Sequence, residues 1–205
     1  MANVVAFREP DLPPPLKAGA IEVLEGAWPS GRSLEQRMSR PLANRDYAPV
    51  CMLLVEGDLA ADAQHAQVLA FLVIPTKRIV HAGREYIASG LSAVSTHPAH
   101  RARGYGSRLV RAAYETLTSS DADLAIFTCD EPLAPFYESC GFTLMPTTTV
   151  VGGTREQPFR SDSIVSEEGH RKVTLMAAIS DPARVHWSDF EGSDVYLELR
   201  AGDLW

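Results

Sequence analysis

The stretch Leu91-Ser-Ala-Val-Ser-Thr-His-Pro-Ala-His-Arg-Ala-Arg-Gly-Tyr-Gly-Ser-Arg-Leu109 constrains this chain more than any other. An apolar, β-branched segment ends at Pro98, and Arg101-x-x-Gly104-x-Gly106 then opens an amphipathic run. That order predicts strand, tight turn and helix, with glycines where the backbone turns sharply and comes close to a ligand. A helix N-terminus offers unpaired N–H groups and the positive end of a dipole, a combination suited to phosphate. The spacing is not the dinucleotide fingerprint, because no third glycine follows Gly106 at the required distance. It is not a Walker loop either, since no Gly-Lys-Ser/Thr follows.

A chain of 205 residues suits one domain, 1–205, with a core that needs no metal or disulfide staples. No apolar run approaches the ~20 residues of a membrane span, and the first ten residues lack the pattern of a signal peptide. Cys51, Cys129 and Cys140 form no Cys-x-x-Cys pair or metal spacing, so they read as buried or free thiols in a reducing cytoplasm. The net charge of −7 argues against nucleic-acid partners and is compatible with a cationic substrate. An anionic ligand must then meet a local patch, which Arg101, Arg103 and Arg108 supply.

Along the chain, Val4–Phe7 reads as a strand and Leu16–Ala27 as a helix with proline at its start. Ser33-Leu-Glu-Gln36 has the form of a capping box opening a short helix towards Arg40. Val50–Val55 and Val68–Ile74 read as strands joined by an alanine-rich loop, Gly57–Ala66. Lys77–His81 and Arg84–Ile87 flank Ala82-Gly83, a hairpin turn. After the motif strand come a helix from about Gly104 to Thr118, a strand Leu124–Thr128 and a helix Pro132–Ser139 with Gly141 as its left-handed cap. Phe142–Val151 and Arg171–Ile179 read as strands separated by a loop, and Val195–Leu199 as the last strand. The reading is mixed α/β.

The loop Arg101-x-x-Gly104-x-Gly106 resembles the pyrophosphate-binding segment of the GNAT N-acetyltransferase superfamily. The resemblance implies a mixed, mostly antiparallel sheet with splayed central strands flanked by helices. It also implies acetyl-CoA as co-substrate, its pantetheine arm held by backbone of Val94, Ser95 and Thr96. The pyrophosphate would lie on the turn of Arg101, Ala102, Arg103, Gly104, Tyr105, Gly106 and Ser107. Phe136-Tyr137-Glu-Ser-Cys-Gly-Phe142 is a second match, implying that the Tyr137 hydroxyl protonates the departing thiolate. Taken alone, Tyr137 reads as a core aromatic on an amphipathic helix, and it is the Arg101 loop at family spacing that turns the reading to catalysis.

The ending Arg200-Ala-Gly-Asp-Leu-Trp205 resembles that of the aminoglycoside 2′-N-acetyltransferases. There the resemblance implies that Asp203 and the α-carboxylate of Trp205 hold ammonium groups of a cationic aminosugar. Thr128 and the acidic turn at Glu168 join them as substrate-side candidates. Asp203 also reads as a turn residue, with Trp205 as a packing anchor. Those enzymes place a glutamate before the coenzyme loop, and the matching position here is Ser92. A serine is no general base at neutral pH without its own activator. The proton must leave through Glu35, Asp46 or Glu168, through water passing Thr128, or without a dedicated base.

His97 and His100 flank Pro98 and are expected to contact coenzyme or solvent. His65, His81, His170 and His186 have no ligand spacing, so no metal site is expected. Asp130-Glu131 reads either as substrate-facing or as the start of the next helix. The expected protein is a homodimeric N-acetyltransferase of a cationic amine, with no nucleic-acid or membrane partner. The rival readings are a GNAT enzyme for another amine (polyamine, amino acid or peptide N-terminus) and an acyl-CoA-binding module without catalysis.

Overall fold

A computed structural model describes residues 2–57, 66–154, 156–200 and 203–205. The chain divides into two compact units, residues 1–75 with 92–113 and residues 76–91 with 114–205. Most of the expected Gly57–Ala66 loop, with His65, lies outside the described residues.

The first unit carries β1 (Ala2–Arg8), α1 (Pro14–Ala27), α2 (Leu34–Met38), β2 (Val50–Glu56), β3 (Gln67–Ile74) and β6 (Ser92–Thr96), labelled in chain order. The helix α3 (Tyr105–Thr118) begins here. The strands form an antiparallel sheet in the order β1-β2-β3-β6. Proline is tolerated at the start of α1, where its missing N–H would have no partner anyway. Leu16, Ala20, Val23 and Leu24 then form the buried stripe that packs on Leu53, Val55, Phe71 and Val73 of the sheet. The capping box is formed in both directions: Gln36 N–H donates to Ser33 Oγ (3.2 Å) and Ser33 N–H to Gln36 Oε1 (3.1 Å). Glu9 is 2% exposed, and its carboxylate accepts from Leu42 N–H (3.1 Å) and Arg45 Nε (2.7 Å). That buried acid fastens the segment after α2 to the end of β1.

The second unit holds β4 (Thr76–His81), β5 (Arg84–Ser89), β7 (Leu124–Asp130), α4 (Ala134–Glu138), β8 (Thr143–Met145), β9 (Thr149–Gly153), β10 (Pro158–Arg160), β11 (Lys172–Ala178), α5 (Asp181–Val185) and β12 (Asp194–Tyr196). Five strands pair in the order β4-β5-β7-β11-β8, and three more in the order β10-β9-β12. The β4–β5 hairpin turns through Ala82 and Gly83 with φ of 48° and 75°, both left-handed as a two-residue type I′ turn requires. The strands β5 and β7 are parallel and pair only at Ala88↔Leu124 and Ser89↔Ala125. The β7–β11 pair is antiparallel over seven residues, from Lys172↔Asp130 to Ala178↔Leu124.

Four expectations are corrected. Phe142–Val151 is not one strand, because Pro146 cannot donate to a ladder and Thr148 N–H closes a turn on Met145 O (3.2 Å). The two halves, β8 and β9, join different sheets. The loop after β9 contains β10, paired with β9 through Phe159↔Gly152. The helix α5 is one that the sequence reading passed over, though Ser180 caps it and Asp181-Pro182 opens it. Finally, the last strand is Asp194–Tyr196, because Glu198 takes a left-handed φ of 48° that interrupts an extended run. Pro132–Ser139 is realised as a 3-10 turn, Glu131–Leu133, continued by α4, with Gly141 at φ 110°. No helix among the described residues is long and apolar enough to cross a membrane.

Candidate active site

In the first unit, β6 leaves its ladder before it reaches the loop. Ser92 pairs with Val73 and Ser95 with Phe71, so Ala93 and Val94 together face the single residue Leu72. This is a β-bulge, with Ala93 in the left-handed region at φ 55°. The bulge takes Ala93 and Val94 out of regular pairing with β3, and Ala93 O accepts from Ser95 Oγ (3.2 Å). Thr96 pairs with Ala70, and His97 N–H donates to Leu69 O (2.9 Å), which returns the chain to β3 before the turn.

The turn that follows is held from behind. Arg101 donates from Nη2 to Gly26 O (3.1 Å) and from Nε to Thr96 O (3.4 Å). A Cβ at Gly26 would fall 2.5 Å from Pro98 Cγ, so α1 and the loop make a contact only glycine permits. Arg108 is likewise engaged, donating from Nη2 to Ala2 O (2.5 Å). Both guanidinium groups therefore brace the loop against neighbouring backbone, and Arg103 remains as an exposed cation. Ala102 and Gly104 adopt left-handed φ values of 61° and 77°, and a Cβ at Gly104 would meet nothing within 4 Å. Arg108 N–H donates to Gly104 O (3.0 Å), the first turn of α3. The N–H groups of Tyr105 and Gly106 precede it and have no acceptor within the helix, as at every α-helix start.

Of the two histidines of this loop, His97 is hydrogen-bonded, whereas His100 Nδ1 is buried with no hydrogen-bond partner among the described residues. His97 caps the turn Pro98–His100, its Nδ1 accepting from Ala99 N–H (3.2 Å), and its Nε2 lies 3.4 Å from Glu22 Oε1. The His100 ring stands 5.2 Å from that of His97 and 6.3 Å from Tyr105. Ser92, at the head of β6, is half-buried, and no carboxylate or imidazole among the described residues hydrogen-bonds it. Glu35 and Asp46 are exposed at the starts of their helical turns.

In the second unit, Tyr137 lies on α4 with 7% exposure. Its ring meets Phe127 edge-on at 5.0 Å and Phe136 at 4.9 Å. Burial, followed by the nearby Cys129, Cys140 and Asp130, raises its pKa well above that of an ordinary phenol. No described residue hydrogen-bonds its hydroxyl. The side chain is a core aromatic whose burial favours the protonated phenol. Burial also pushes Cys129 up to about 12, so that thiol is inert as a nucleophile. All three cysteines are buried, and none of them forms a disulfide.

Thr128 and Trp205 come together. The backbone oxygen of Trp205 accepts from Thr128 N–H (2.6 Å) and from its Oγ1 (2.8 Å). The indole is 4% exposed and lies over Gly90, where a Cβ would fall 2.7 Å from Trp205 Cε3 and 2.8 Å from Ile126 O. Gly90 is a site residue that the sequence reading missed, although an isolated glycine after an apolar strand is a known sign of close approach. Asp203 is half-exposed and donates its N–H to Arg200 O (2.9 Å). Ala201 and Gly202 lie outside the described residues.

Glu168 stands at the tip of a turn closed by Gly169 N–H on Ser166 O (2.9 Å), with its carboxylate 83% exposed and 3.7 Å from His170. Asp130 and Glu131 are both ion-paired across to β11 and its approach, Asp130 with Lys172 (2.9 Å) and Glu131 with Arg171 (3.2 Å). No group of three metal-ligating side chains occurs among the described residues.

A bulged strand feeding a braced loop and an open helix start is a frame for binding an extended, phosphate-bearing ligand. The chain belongs to the GNAT acetyltransferase family: the Acetyltransferase (GNAT) domain matches residues 20–145, more than half its length. No curated protein sequence matches it significantly. Among solved structures it is similar to Escherichia coli ElaA at 15% identity and a TM-score of 0.54, over 86% of this chain and 99% of that one. An acyl-CoA N-acyltransferase from Pseudomonas aeruginosa aligns at 14% identity and a TM-score of 0.55, over 87% of this chain and 100% of that one. A Bacillus subtilis acetyltransferase solved with CoA aligns at 15% identity and a TM-score of 0.52, over 88% of this chain and 100% of that one. At these identities the likeness is one of fold.

Proposed function

We propose that this protein is an acetyl-CoA-dependent N-acetyltransferase whose acceptor is a primary amine of a cationic aminosugar, of the aminoglycoside type. The observation that carries the coenzyme assignment is the continuous run from the Ala93–Val94 bulge through left-handed Ala102 and Gly104 into α3. An acyl-coenzyme A fits these residues. The bulge takes Ala93 and Val94 out of regular pairing, which suits the amides of a pantetheine arm, and open space at Gly104 admits a pyrophosphate beside the first N–H groups of α3.

In this reading the acceptor nitrogen attacks the thioester carbonyl carbon. The C–N bond forms, the C–S bond breaks, and the amine loses one proton to solvent. Tyr137 O–H gives its proton to the departing sulfur, and the phenolate takes back from solvent the equivalent of the proton that the amine released. The raised pKa keeps the phenol protonated, as a proton donor must be before transfer. Ser92 carries no activator, and Glu35, Asp46 and Glu168 are all exposed, which supports transfer without a dedicated base. The rate then comes from holding the free amine in line with the thioester.

The acceptor assignment rests on the ending Arg200–Trp205, with Asp203 as its carboxylate and Trp205 and Thr128 shaping its surroundings. One observation favours a second reading, a smaller polyamine or peptide amine. Thr128 Oγ1 is bonded to Trp205, and Glu168 is on an exposed tip, which leaves fewer anionic groups for a polycationic sugar. The resemblance further supports a cytoplasmic homodimer, which sedimentation velocity tests. The acceptor test is mass spectrometry of gentamicin, tobramycin, amikacin, spermidine and a peptide amine after incubation with acetyl-CoA. Acetylation of gentamicin and tobramycin supports the aminosugar reading. Acetylation of spermidine or the peptide alone replaces it with the second.

A further inference from the structure

The segment that leads to Asp203 and Trp205 is tied down at one unusual point. The strand β12 runs parallel to β9, with Tyr196 opposite Val151. Beyond it, Leu197 N–H donates to Val151 O (2.9 Å) and Gly153 N–H donates to Leu199 O (2.7 Å). The chain therefore stays attached to β9 on both sides of Glu198. Leu197 and Leu199 are buried, whereas Glu198 is exposed and sits at φ 48°. A left-handed glutamate is uncommon and persists only where its surroundings impose it.

Lys77, at the start of β4, supplies the imposing contact. Its Nζ donates to Leu197 O (2.5 Å) and to Glu198 O (3.3 Å). Two successive carbonyls converge on one ammonium only because the residue between them is turned out of the strand. The lysine is half-buried, and burial lowers its pKa from the usual value while the Glu198 carboxylate opposes that change. Charge-assisted bonds to carbonyls are stronger than neutral ones, and they hold the bend against its backbone strain. The chain beyond the bend ends with the Trp205 indole over Gly90 and its oxygen on Thr128.

We propose that Lys77 is a positioning residue: its ammonium fixes the left-handed bend at Glu198 and thereby sets Asp203 and Trp205 for acceptor binding. The acceptor half of this statement rests on the function proposed above. The ammonium itself is held by backbone carbonyls, so Lys77 acts through the segment it holds and not on the reacting atoms.

The test uses the full chain with Trp28→Phe and Trp187→Phe, which leaves Trp205 as its sole indole. In this background Lys77→Met, Lys77→Arg and Lys77→Met with Glu198→Gly are compared by acrylamide quenching of Trp205 and by steady-state kinetics with tobramycin and spermidine. The expected result for Lys77→Met is an indole open to quencher and an acceptor KM raised about ten-fold, with the acetyl-CoA KM changed less than about two-fold. Lys77→Arg, which keeps a cationic donor, restores both readouts. So does Glu198→Gly in the Lys77→Met chain, because glycine takes the bend without strain. A purely structural lysine would not be rescued by relaxing the backbone two residues before Arg200. An indole that stays shielded in Lys77→Met overturns the proposal. An exposed indole with an unchanged acceptor KM also overturns it, and places the fault in the acceptor reading. If the parent chain acetylates neither amine, the function proposed above has failed with them, and the quenching and its glycine rescue still decide whether Lys77 holds the bend.

Discussion

Replacing Tyr137 by phenylalanine separates its two roles. The ring contacts with Phe127 at 5.0 Å and Phe136 at 4.9 Å survive the change, because only the hydroxyl is removed. Each such edge-on pair contributes about 0.5–1.5 kcal/mol beyond burial, and none of that is lost. The hydroxyl has no hydrogen-bond partner among the described residues, so its removal alters stability by less than about 1 kcal/mol. For a chain of this size that is a Tm change of no more than roughly 2–4 °C. Loss of a general acid costs about 10²–10⁴ in rate, or roughly 2.7–5.5 kcal/mol of transition-state stabilisation. Tyr137→Phe is therefore expected to reduce kcat by at least about a hundred-fold, with Tm and the acetyl-CoA KM nearly unchanged. Thiol release from acetyl-CoA gives the rate, and calorimetry gives Tm. Tyr137→Ala, which empties a buried aromatic site, should destabilise by about 3–5 kcal/mol and serves as the packing control. Turnover of Tyr137→Phe within about three-fold of the parent would remove the phenol from the chemistry.

Other consequences follow from single contacts. Gly90→Val must displace the Trp205 indole or the Ile126 carbonyl, at about 1–3 kcal/mol, and should shift Trp205 emission to the red. Glu9→Ala removes the carboxylate that holds Leu42 N–H and Arg45, and since Arg45 remains half-exposed the loss should be about 1–3 kcal/mol in urea unfolding, with m unchanged. Hydrogen bonds from Arg160 hold the Asp162 carboxyl below its ordinary value of 3.8. Its folded pKa is thus lower than its unfolded one, so its contribution is present above that value and lost as the pH falls through the folded pKa. Asp162→Asn should flatten the acid limb of the urea midpoint below about pH 4. With no enzyme base, kcat/KM for the acceptor should rise with pH until the amine is free, with no descending limb from Tyr137 below pH ~10.

Local rules carried the sequence reading where one turn of chain decides the outcome. Ser33 and Gln36 form the capping box that their spacing announces, and Ala82-Gly83 turn as a hairpin must. The Arg101–Gly104 turn lies between a strand and a helix as its composition requires. Long-range placement was not legible. Nothing in a run such as Phe142–Val151 says that its halves will join different sheets, although Pro146 marks where they part. The bulge at Ala93 has no local cause, since alanine has no preference for a positive φ, and it arises from the register imposed by β3. Arg101 and Arg108 read as a phosphate patch because both are basic and close in sequence. Their side chains also brace the backbone of Gly26, Thr96 and Ala2, contacts that no local pattern announces. Lys77 carries no signal at all, because its partners lie at Leu197 and Glu198.

The central claim is acetyl transfer from coenzyme A to an amine, and counting both products of one reaction tests it most directly. With acetyl-CoA and tobramycin, coenzyme A thiol and acetylated amine should appear in equal amounts, each saturating in both substrates. Thiol without acetylated amine, or tight acetyl-CoA binding with neither product from tobramycin or any other amine, would contradict the account.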